Sequence, residues 1–365
     1  MNPFNYQGPI EPRDLIDRGT ELDALQKAAA DRVNVRLAAP RRYGKSSLIA
    51  AHLETMRSVG HRVVSVDFYR VATVADVAER VLSAYDQLPR DPARTLEGLM
   101  RRLGLSLGPA GVTVQVGARG ARDPLGVEQA RHVLLEVLDL PQKLAVADGA
   151  LTVVAFDEFQ DLLTADDRLD GLFRSVIQYH GRSAAYIYAG SRPSLLKEMF
   201  AAQERPFFGQ ARPLELPPLP ADETIAQLET VLATHDLDAG PAVADIVEIA
   251  AGHPQRTMLL AHHLFNLLTD AGDPNQLTAA VLDLALEETN DVHQGTWNSL
   301  GRPERAVAVA LADGLAPTGP NTARQHATSR GQLQRALARL LADQQVVVDG
   351  PRLVDPLFAE WLRRR

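Results

Sequence analysis

The chain has no cysteine, no long apolar run and no secretory signal. The absence of cysteine among its 365 residues excludes disulfide bonds and thiolate metal sites. No apolar run reaches the roughly 18 residues that a membrane-spanning helix needs, and the N-terminus lacks a basic and then apolar pattern. With 45% hydrophobic and 23% charged residues, the sequence predicts an ordinary globular protein of two or three domains, cytoplasmic and without a membrane partner.

The histidine positions exclude one possible metal site, and the net charge argues against one mode of nucleic-acid binding. His262 and His263 are adjacent in a helical segment, where neighbours point about 100° apart, so they cannot chelate one metal ion together. The net charge of −8 argues against a surface that coats nucleic acid. However, the segment 301–365 has ten arginines, no lysine and six carboxylates, a net charge of +4 that leaves −12 on the rest. This asymmetry is compatible with a C-terminal nucleic-acid module, although a solvated helix surface would also produce it.

A phosphate-binding loop is the main motif of the chain. An apolar run at 33–38 predicts a buried strand, and 48–53 has helical spacing. Strand, loop, Gly-Lys-Ser and helix is the order of a P-loop, whose backbone N–H groups surround phosphates. We expect Lys45 to contact the β- and γ-phosphates and Ser46 to hold Mg²⁺, although Ala39 replaces the first glycine of the pattern. The predicted nucleotide-binding residues of the loop are Pro40, Arg41, Arg42, Tyr43, Gly44, Lys45, Ser46 and Ser47.

A second motif ends the apolar run 151–156. A continuous apolar run predicts a parallel strand buried on both faces, and the loops at the carboxyl ends of such strands form the site. Asp157 is expected to hold Mg²⁺, largely through water, and Glu158 to orient or deprotonate the attacking water. Gln160 is a candidate nucleotide sensor. This is the pattern of a Walker B strand.

Arginines and a serine beyond these motifs are candidates for phosphate contacts. The strand predicted at 184–190 ends in Ser191 and Arg192, which would lie beside the γ-phosphate if this strand lies between the two motif strands. Arg192 has a delocalised charge suited to phosphate, so we predict it as a catalytic residue with Glu158 and Lys45, and Ser191 as a nucleotide ligand. For Arg205 and Arg212, a surface position is favoured over an arginine finger.

An N-terminal arm and a helix junction are further nucleotide candidates. Prolines and a glycine before residue 20 predict an extended N-terminal arm. Ile16 and Arg18 of this arm would pack on the adenine. The alternative is that they simply precede a capped helix and contact no nucleotide. Four helices between 221 and 288 predict a helical domain. At one junction Pro254 would present its backbone to the adenine and Arg256 its charge to the phosphates, or the segment is a plain Gly-Pro turn with a surface arginine.

Two other regions have patterns of their own. The segment 108–124 is predicted to be a loop or hairpin insertion. Three helices after Pro303 and two short strands around an Asp-Gly turn predict a winged helix-turn-helix. On its third helix Gln332, Arg335 and Arg339 share a face, as in a DNA-recognition helix. A protein-binding or autoinhibitory winged helix has the same pattern.

The order of these motifs resembles the archaeal-type ATPase family, within the STAND class and close to AAA+ initiator ATPases. The resemblance rests on 40–46, 156–160, 190–192, 252–254 and the tail 352–362. It implies an α/β fold with a parallel sheet of strand order 5-1-4-3-2 flanked by helices, then an all-α lid domain and a winged helix, with ATP and Mg²⁺ as ligands. The implied domains are 1–217, 218–300 and 301–365. Gln210 stands where an arginine finger would be sought.

Three functions remain open from the sequence. The first is an ATP-dependent conformational switch with slow hydrolysis, whose output is the winged helix. The second is an ATP-gated DNA-binding regulator or loader. The third is a protein-interaction or self-association module in which ATP is a structural ligand.

Overall fold

The computed structural model describes residues 2–8, 16–88, 98, 105–108, 111–116, 121–124, 126–270, 277–343, 346–348 and 350–365. The chain forms two compact units. The sheet unit comprises 19–39 and 48–215. The helical unit comprises 1–18, 40–47 and 216–365, so it includes most of the phosphate-binding loop.

A five-stranded parallel sheet is the centre of the sheet unit. In chain order the strands of this unit are β1 (Val35–Ala38), β2 (Arg62–Asp67), β3 (Leu105–Gly108), β4 (Gly111–Val116), β5 (Ala121–Pro124), β6 (Thr152–Asp157), β7 (Ala184–Gly190) and β8 (Arg212–Glu215). The parallel sheet has the order β2-β6-β7-β1-β8. Numbering these five strands along the chain gives 5-1-4-3-2, so the implied order is confirmed. β7 lies between β6 and β1, which was the condition for placing sensor residues at its end.

The insertion is a separate three-stranded antiparallel sheet of order β3-β4-β5. The hairpin predicted within 108–124 is present as the antiparallel pair β4 and β5, and β3 adds a third strand to it. The alternating apolar pattern that predicts a strand extends over six residues in β4, whereas β3 has only the four residues Leu-Ser-Leu-Gly and β5 has Ala-Arg-Asp-Pro. The helix predicted at 96–103 lies outside the described residues except for Gly98.

Helices flank the parallel sheet. They are α1 (Gly19–Ala30), α2 (Lys45–Ser58), α3 (Val74–Asp86), α4 (Val127–Leu138), α5 (Leu140–Asp148), α6 (Leu162–Ala165), α7 (Leu169–Ile177) and α8 (Pro193–Ala201). Helix α5 was missed from the sequence. A proline in its first turn and Gly149 at its C-cap, with φ 73°, were the available signals. The aromatic core of this unit includes Phe156, Phe159 and Tyr188, which lie directly below the carboxyl end of β6.

The helical unit contains eight helices and one strand pair in its described residues. These elements are α9 (Ala221–Ala233), α10 (Ala242–Ala250), α11 (Pro254–Thr269), α12 (Leu277–Ser299), α13 (Arg302–Ala312), α14 (Pro320–Gln325), α15 (Arg330–Asp343), β9 (Val347–Val348), β10 (Arg352–Leu353) and α16 (Pro356–Arg363). β9 and β10 pair antiparallel around the predicted Asp-Gly turn. Helix α12 continues to Ser299, beyond the predicted end at 288, because buried His293 and half-buried Trp297 extend its packed face.

Helix α16 joins the two apolar clusters of the helical unit. Leu357 packs into the cluster formed by α9 to α12, while Phe358 and Leu362 pack into the cluster of α13 to α15. Trp361 contacts both clusters. The C-terminal tail is thus the apolar link between the two groups of helices.

The N-terminal arm is docked on α11, as an extended segment. Asn2 donates a hydrogen bond to the carbonyl of His262 at 2.9 Å, and the His262 ring contacts the carbonyl of Phe4 at 2.8 Å. Phe4 is buried in the same apolar cluster. Across the described ranges, the helices are all too short or too polar to span a membrane.

Candidate functional site

The phosphate-binding loop connects β1 to α2. Arg42 and Gly44 have φ angles of 64° and 85°, in the left-handed region that glycine adopts at low cost. Left-handed residues allow successive backbone N–H groups of a tight loop to converge on an anion. Ala39 has no such angle, since Arg42 is the one non-glycine left-handed residue that the structure describes between 33 and 69. A side chain at position 39 is therefore compatible with this backbone.

Lys45 begins α2 and is almost fully buried. Its Nζ donates a hydrogen bond to the carbonyl of Pro40 at 2.9 Å, so the side chain folds back over the loop. Ser46 is exposed and Ser47 is buried.

A cavity of about 660 Å³ opens beside this loop within the helical unit. Its volume falls in the range typical of small-molecule sites. The loop supplies Arg42 and 44–47, the arm supplies 5–8, and α11 supplies Pro254 and Arg256. The lining also includes Met258 and Leu259 of α11 and Glu288, Thr289 and Val292 of α12. The structure thus brings the predicted loop residues together with the predicted helix-junction residues.

The arm residues at the cavity are not those that the sequence favoured. Ile16 and Arg18 are buried, but neither lines this cavity among the described residues. Ile16 instead packs in the apolar cluster of α9 to α12. Tyr6 and Gln7 line the cavity, and the Tyr6 ring contacts His262 edge-on with centroids 5.0 Å apart. The composition of the arm, polar residues between Pro3 and Gly8, was the only sequence signal for them.

The junction before α11 is a glycine turn with a histidine cap. Gly252 has φ 71°, and a side chain there would meet the Leu219 carbonyl at 2.7 Å. His253 is the N-cap and accepts a hydrogen bond from the Arg256 backbone at 3.3 Å. Burial lowers the pKa of His253 to about 4, which keeps the ring neutral and able to accept this bond. The Tyr43 ring lies edge-on to it, with centroids 5.0 Å apart, so the phosphate loop and the junction are in contact.

Arg256 lies at the cavity, but Asp355 holds two of its nitrogens. The side chain is 3% exposed, with Nε bonded to Asp355 Oδ1 at 2.9 Å and Nη2 bonded to Oδ2. No local pattern indicates this partner, because 99 residues separate Arg256 and Asp355 along the chain.

A separate group of predicted site residues lies at the carboxyl edge of the sheet, within the sheet unit. Glu158 follows β6 with φ 49° and ψ 40°, a left-handed conformation that is strained for a residue with a side chain. Its Oε2 accepts hydrogen bonds from the Ser191 backbone at 3.1 Å, the Ser191 hydroxyl at 2.7 Å and Gln160 Nε2 at 2.6 Å. Ser191 is therefore the residue at the end of β7 that contacts the predicted base, whereas Arg192 is exposed at the start of α8.

Gln160 and Gly190 fit closely behind Glu158. Gln160 is buried, and a Cβ on Gly190 would lie 2.1 Å from its Oε1. The glycine at the end of β7 thus provides the space for the amide that contacts Glu158. Gln160 was predicted to sense the nucleotide directly. In the structure its amide donates a hydrogen bond to the Glu158 carboxylate, so an indirect role through Glu158 is the alternative.

Asp157 ends β6, where its Oδ1 accepts a hydrogen bond from the Glu158 backbone at 2.9 Å. The predicted Mg²⁺ ligands, this carboxylate and the Ser46 hydroxyl, are hard oxygen donors. Magnesium prefers such donors and usually takes only one or two from the protein, with phosphate oxygens and water completing its shell. The donor set therefore fits the ion.

The remaining candidates make other contacts. Arg205 is half-buried and contacts Asp170 at 3.6 Å and Glu198 at 3.5 Å, whereas Arg212 is exposed and donates to the carbonyl of Ala24. Gln332, Arg335 and Arg339 are all exposed on α15. Arg339 also pairs with Glu304 at 3.0 Å.

Comparison with solved structures identifies the fold. The structure is similar over 99% of both chains to a Walker-type ATPase of Pyrococcus abyssi, with a TM-score of 0.68 and 19% identity. It is also similar to the ORC2 protein of Aeropyrum pernix, covering 98% of this chain and 96% of that one, with a TM-score of 0.58 and 15% identity. A scan against protein-family models and a search of curated protein sequences gave no match. The chain therefore has the fold of a P-loop ATPase of the kind seen in archaeal Walker-type ATPases and ORC proteins.

Proposed function

We propose that this protein binds Mg-ATP, hydrolyses it slowly and acts as a nucleotide-dependent conformational switch. The observation that carries the proposal is the cavity of about 660 Å³ whose wall combines the phosphate-binding loop with the arm and the first turn of α11. The Aeropyrum pernix ORC2 structure, which has a similar fold, contains ADPNP and ADP. That occupancy supports a nucleotide as the ligand here.

The lining of the cavity suits both parts of ATP. The loop amides, Lys45 and Arg256 would supply the positive charge that polyphosphate requires. Tyr6 and Leu259 would supply aromatic and apolar surface for a base. Mg²⁺, held by Ser46 and Asp157, would neutralise charge on the phosphate oxygens.

Glu158 is proposed as the residue that orients or deprotonates the attacking water. Three hydrogen bonds converge on its Oε2, and bonds to a carboxylate stabilise the anion and reduce its basicity. A carboxylate held in this way is a weak base until its partners move. This geometry supports slow hydrolysis that depends on the positions of Ser191 and Gln160.

The test of nucleotide binding is the variant Lys45→Ala. Calorimetry with ATP and Mg²⁺ should detect binding to the wild type and a loss of affinity of about 100-fold or more in the variant, because a buried, charge-assisted phosphate contact contributes about 3 kcal/mol. Lys197→Ala removes a lysine from exposed helix α8 and is the matched control. Equal ATP affinity in wild type and Lys45→Ala would overturn the assignment of the loop.

A second proposed function is ATP-gated DNA binding through a C-terminal winged helix. Gln332, Arg335 and Arg339 form one exposed face of α15, on the segment with net charge +4. Fluorescence anisotropy with duplex DNA at about 50 and 200 mM salt decides this function, because phosphate contacts give an affinity that falls steeply with salt. Arg335→Ala should weaken binding and its salt dependence. An absence of binding at the lower salt, with and without ATP, would rule the function out.

A further inference from the structure

Arg256 is held by a carboxylate from the C-terminal segment. Its Nε and Nη2 donate to the two oxygens of Asp355, which is the two-point geometry of the strongest arginine pairs. The third nitrogen, Nη1, has no hydrogen-bond partner in the part of the chain that the structure describes. A buried N–H without a partner is unfavourable, so the guanidinium retains capacity for another acceptor.

Asp355 ties three helices together. Its Oδ1 also accepts from the Leu357 backbone at 3.0 Å, as the N-cap of α16, and its Oδ2 lies 3.2 Å from Nε2 of His293 on α12. Burial alone would raise the pKa of Asp355, but the hydrogen bond from His293 and the charge of Arg256 outweigh it and hold that pKa well below its usual range. Asp355 is thus a carboxylate at neutral pH, and His293 must carry a proton on Nε2 because a carboxylate only accepts.

The pair alters the charge at the nucleotide cavity. Arg256 lines that cavity, and the Arg42 side chain is close enough to interact electrostatically with both Arg256 and Asp355. While Asp355 is bound, it neutralises the charge of Arg256, and its own charge repels an incoming anion. A phosphate that takes the Nε and Nη2 edge of Arg256 therefore has to displace Asp355.

We propose that Asp355 and the terminal phosphate of ATP compete for Arg256, so that ATP binding releases α16 from α11. The inference rests on the proposed ATP site and adds its regulation. Asp355 keeps its contacts with His293 and the α16 backbone after the exchange, and so remains partly compensated. Because Leu357 and Phe358 anchor α16 in two different apolar clusters, a shift of this helix moves the α13–α15 group relative to α11.

The variant Asp355→Asn tests the competition. Asparagine preserves volume and remains a good N-cap, but it lacks the charge that holds Arg256. The matched control is Glu360→Gln, which removes a carboxylate of the same helix that pairs with Arg363. Calorimetry with ADP and a non-hydrolysable ATP analogue should show an increase of about tenfold in the ATP-to-ADP affinity ratio of Asp355→Asn. This is the size expected for removing a unit charge about 10 Å from the phosphate at an effective dielectric constant of about 20.

Trp361 gives a second readout that a purely structural role would not change. The protein has two tryptophans, so Trp297→Phe leaves Trp361, on α16, as the only one. Its indole donates to Asn290 on α12 at 3.0 Å. In this background the ATP analogue should shift the Trp361 emission and ADP should not. Adding Arg256→Ala should remove the ATP-specific shift.

The outcomes separate the inference from the function on which it rests. If the wild type binds neither nucleotide, the proposed function fails and the inference fails with it. If the wild type binds ATP, but Asp355→Asn has the same ATP-to-ADP ratio as Glu360→Gln or a lower one, Asp355 does not compete and the inference is overturned. If Asp355→Asn does not fold, the Trp297→Phe protein decides: an emission that responds equally to ATP and ADP overturns the release of α16.

Discussion

Replacing Glu158 with glutamine tests the proposed chemistry most directly. The glutamine keeps the length of the side chain but removes its negative charge and its ability to take a proton. General bases contribute typically 10²–10⁴-fold to a rate, so ATP turnover should fall by at least about 100-fold, equivalent to about 2.7 kcal/mol in activation free energy. The affinity for ATP should remain, because the described lining of the proposed nucleotide cavity includes loop residues but not Glu158.

The structure also gives a stability cost for this change. Three donors converge on one oxygen of Glu158, and hydrogen bonds to an ionised acceptor are roughly twice as strong as those to a neutral one. The neutral oxygen of glutamine weakens these bonds, at a cost of about 1–3 kcal/mol in unfolding free energy. Thermal unfolding should therefore show a lower midpoint.

The assay is phosphate release at saturating ATP, together with calorimetric titration of the same preparation. Glu229→Gln, an exposed carboxylate on α9, controls for loss of a charge. Full turnover in Glu158→Gln would show that another residue positions the water. Loss of ATP binding, at an unfolding midpoint close to that of the wild type, would show that Glu158 is a ligand and not a base.

Two further predictions concern the residues around the site. Gly190→Ala places a Cβ 2.1 Å from Gln160 Oε1, so it should displace that amide from Glu158, lower the unfolding free energy by about 1–3 kcal/mol and alter turnover. The control is Gly181→Ala, where a Cβ meets nothing within 4 Å. Equal stability of the two variants in urea would contradict the packing argument. Burial lowers the pKa of His253 to about 4, so between about pH 4 and 6.5 the native state binds fewer protons than the unfolded state. The stability contribution of the neutral ring should therefore be fully present above about pH 6.5, and the free energy of unfolding should fall by about 3 kcal/mol as the pH drops to 4. His253→Asn retains an N-cap acceptor and should reduce this fall, measured as unfolding free energy against pH; an unchanged pH profile would mean that His253 is not the titrating group.

Short-range patterns were sufficient to predict most of the sheet unit. The strands β6 and β7 are apolar runs that are buried along almost their whole length, because parallel strands are covered on both faces, while β1 alternates buried and half-buried residues. The loop between β1 and α2 was predicted from a motif whose residues are contiguous. In contrast, β3 and β5 were not predicted as strands, because each has only four residues and their pairing depends on β4.

Contacts between distant residues were not predictable from these patterns. Ser191 was one of two candidates at the end of β7, and only the adjacency of β6 and β7 showed that its hydroxyl, rather than Arg192, contacts Glu158. Likewise, Tyr6 lines the cavity because Phe4 and His262 fix the path of the arm. Neither position has a local periodicity that would identify it.

The sequence by itself determined the chemical groups: a loop for phosphate, paired carboxylates after a buried strand, and an arginine after a Gly-His-Pro turn. These follow from local patterns, because a strand, a loop and a helix start are each set by neighbouring residues. The tertiary structure alone decided which residues form hydrogen bonds and ion pairs with those groups. Lys45 folds onto Pro40, Glu158 is held by Ser191 and Gln160, and Arg256 is bound by Asp355. Two of these engagements join residues far apart along the chain, which meet only after strands and helices have packed, because burying charged groups requires partners that the fold itself supplies.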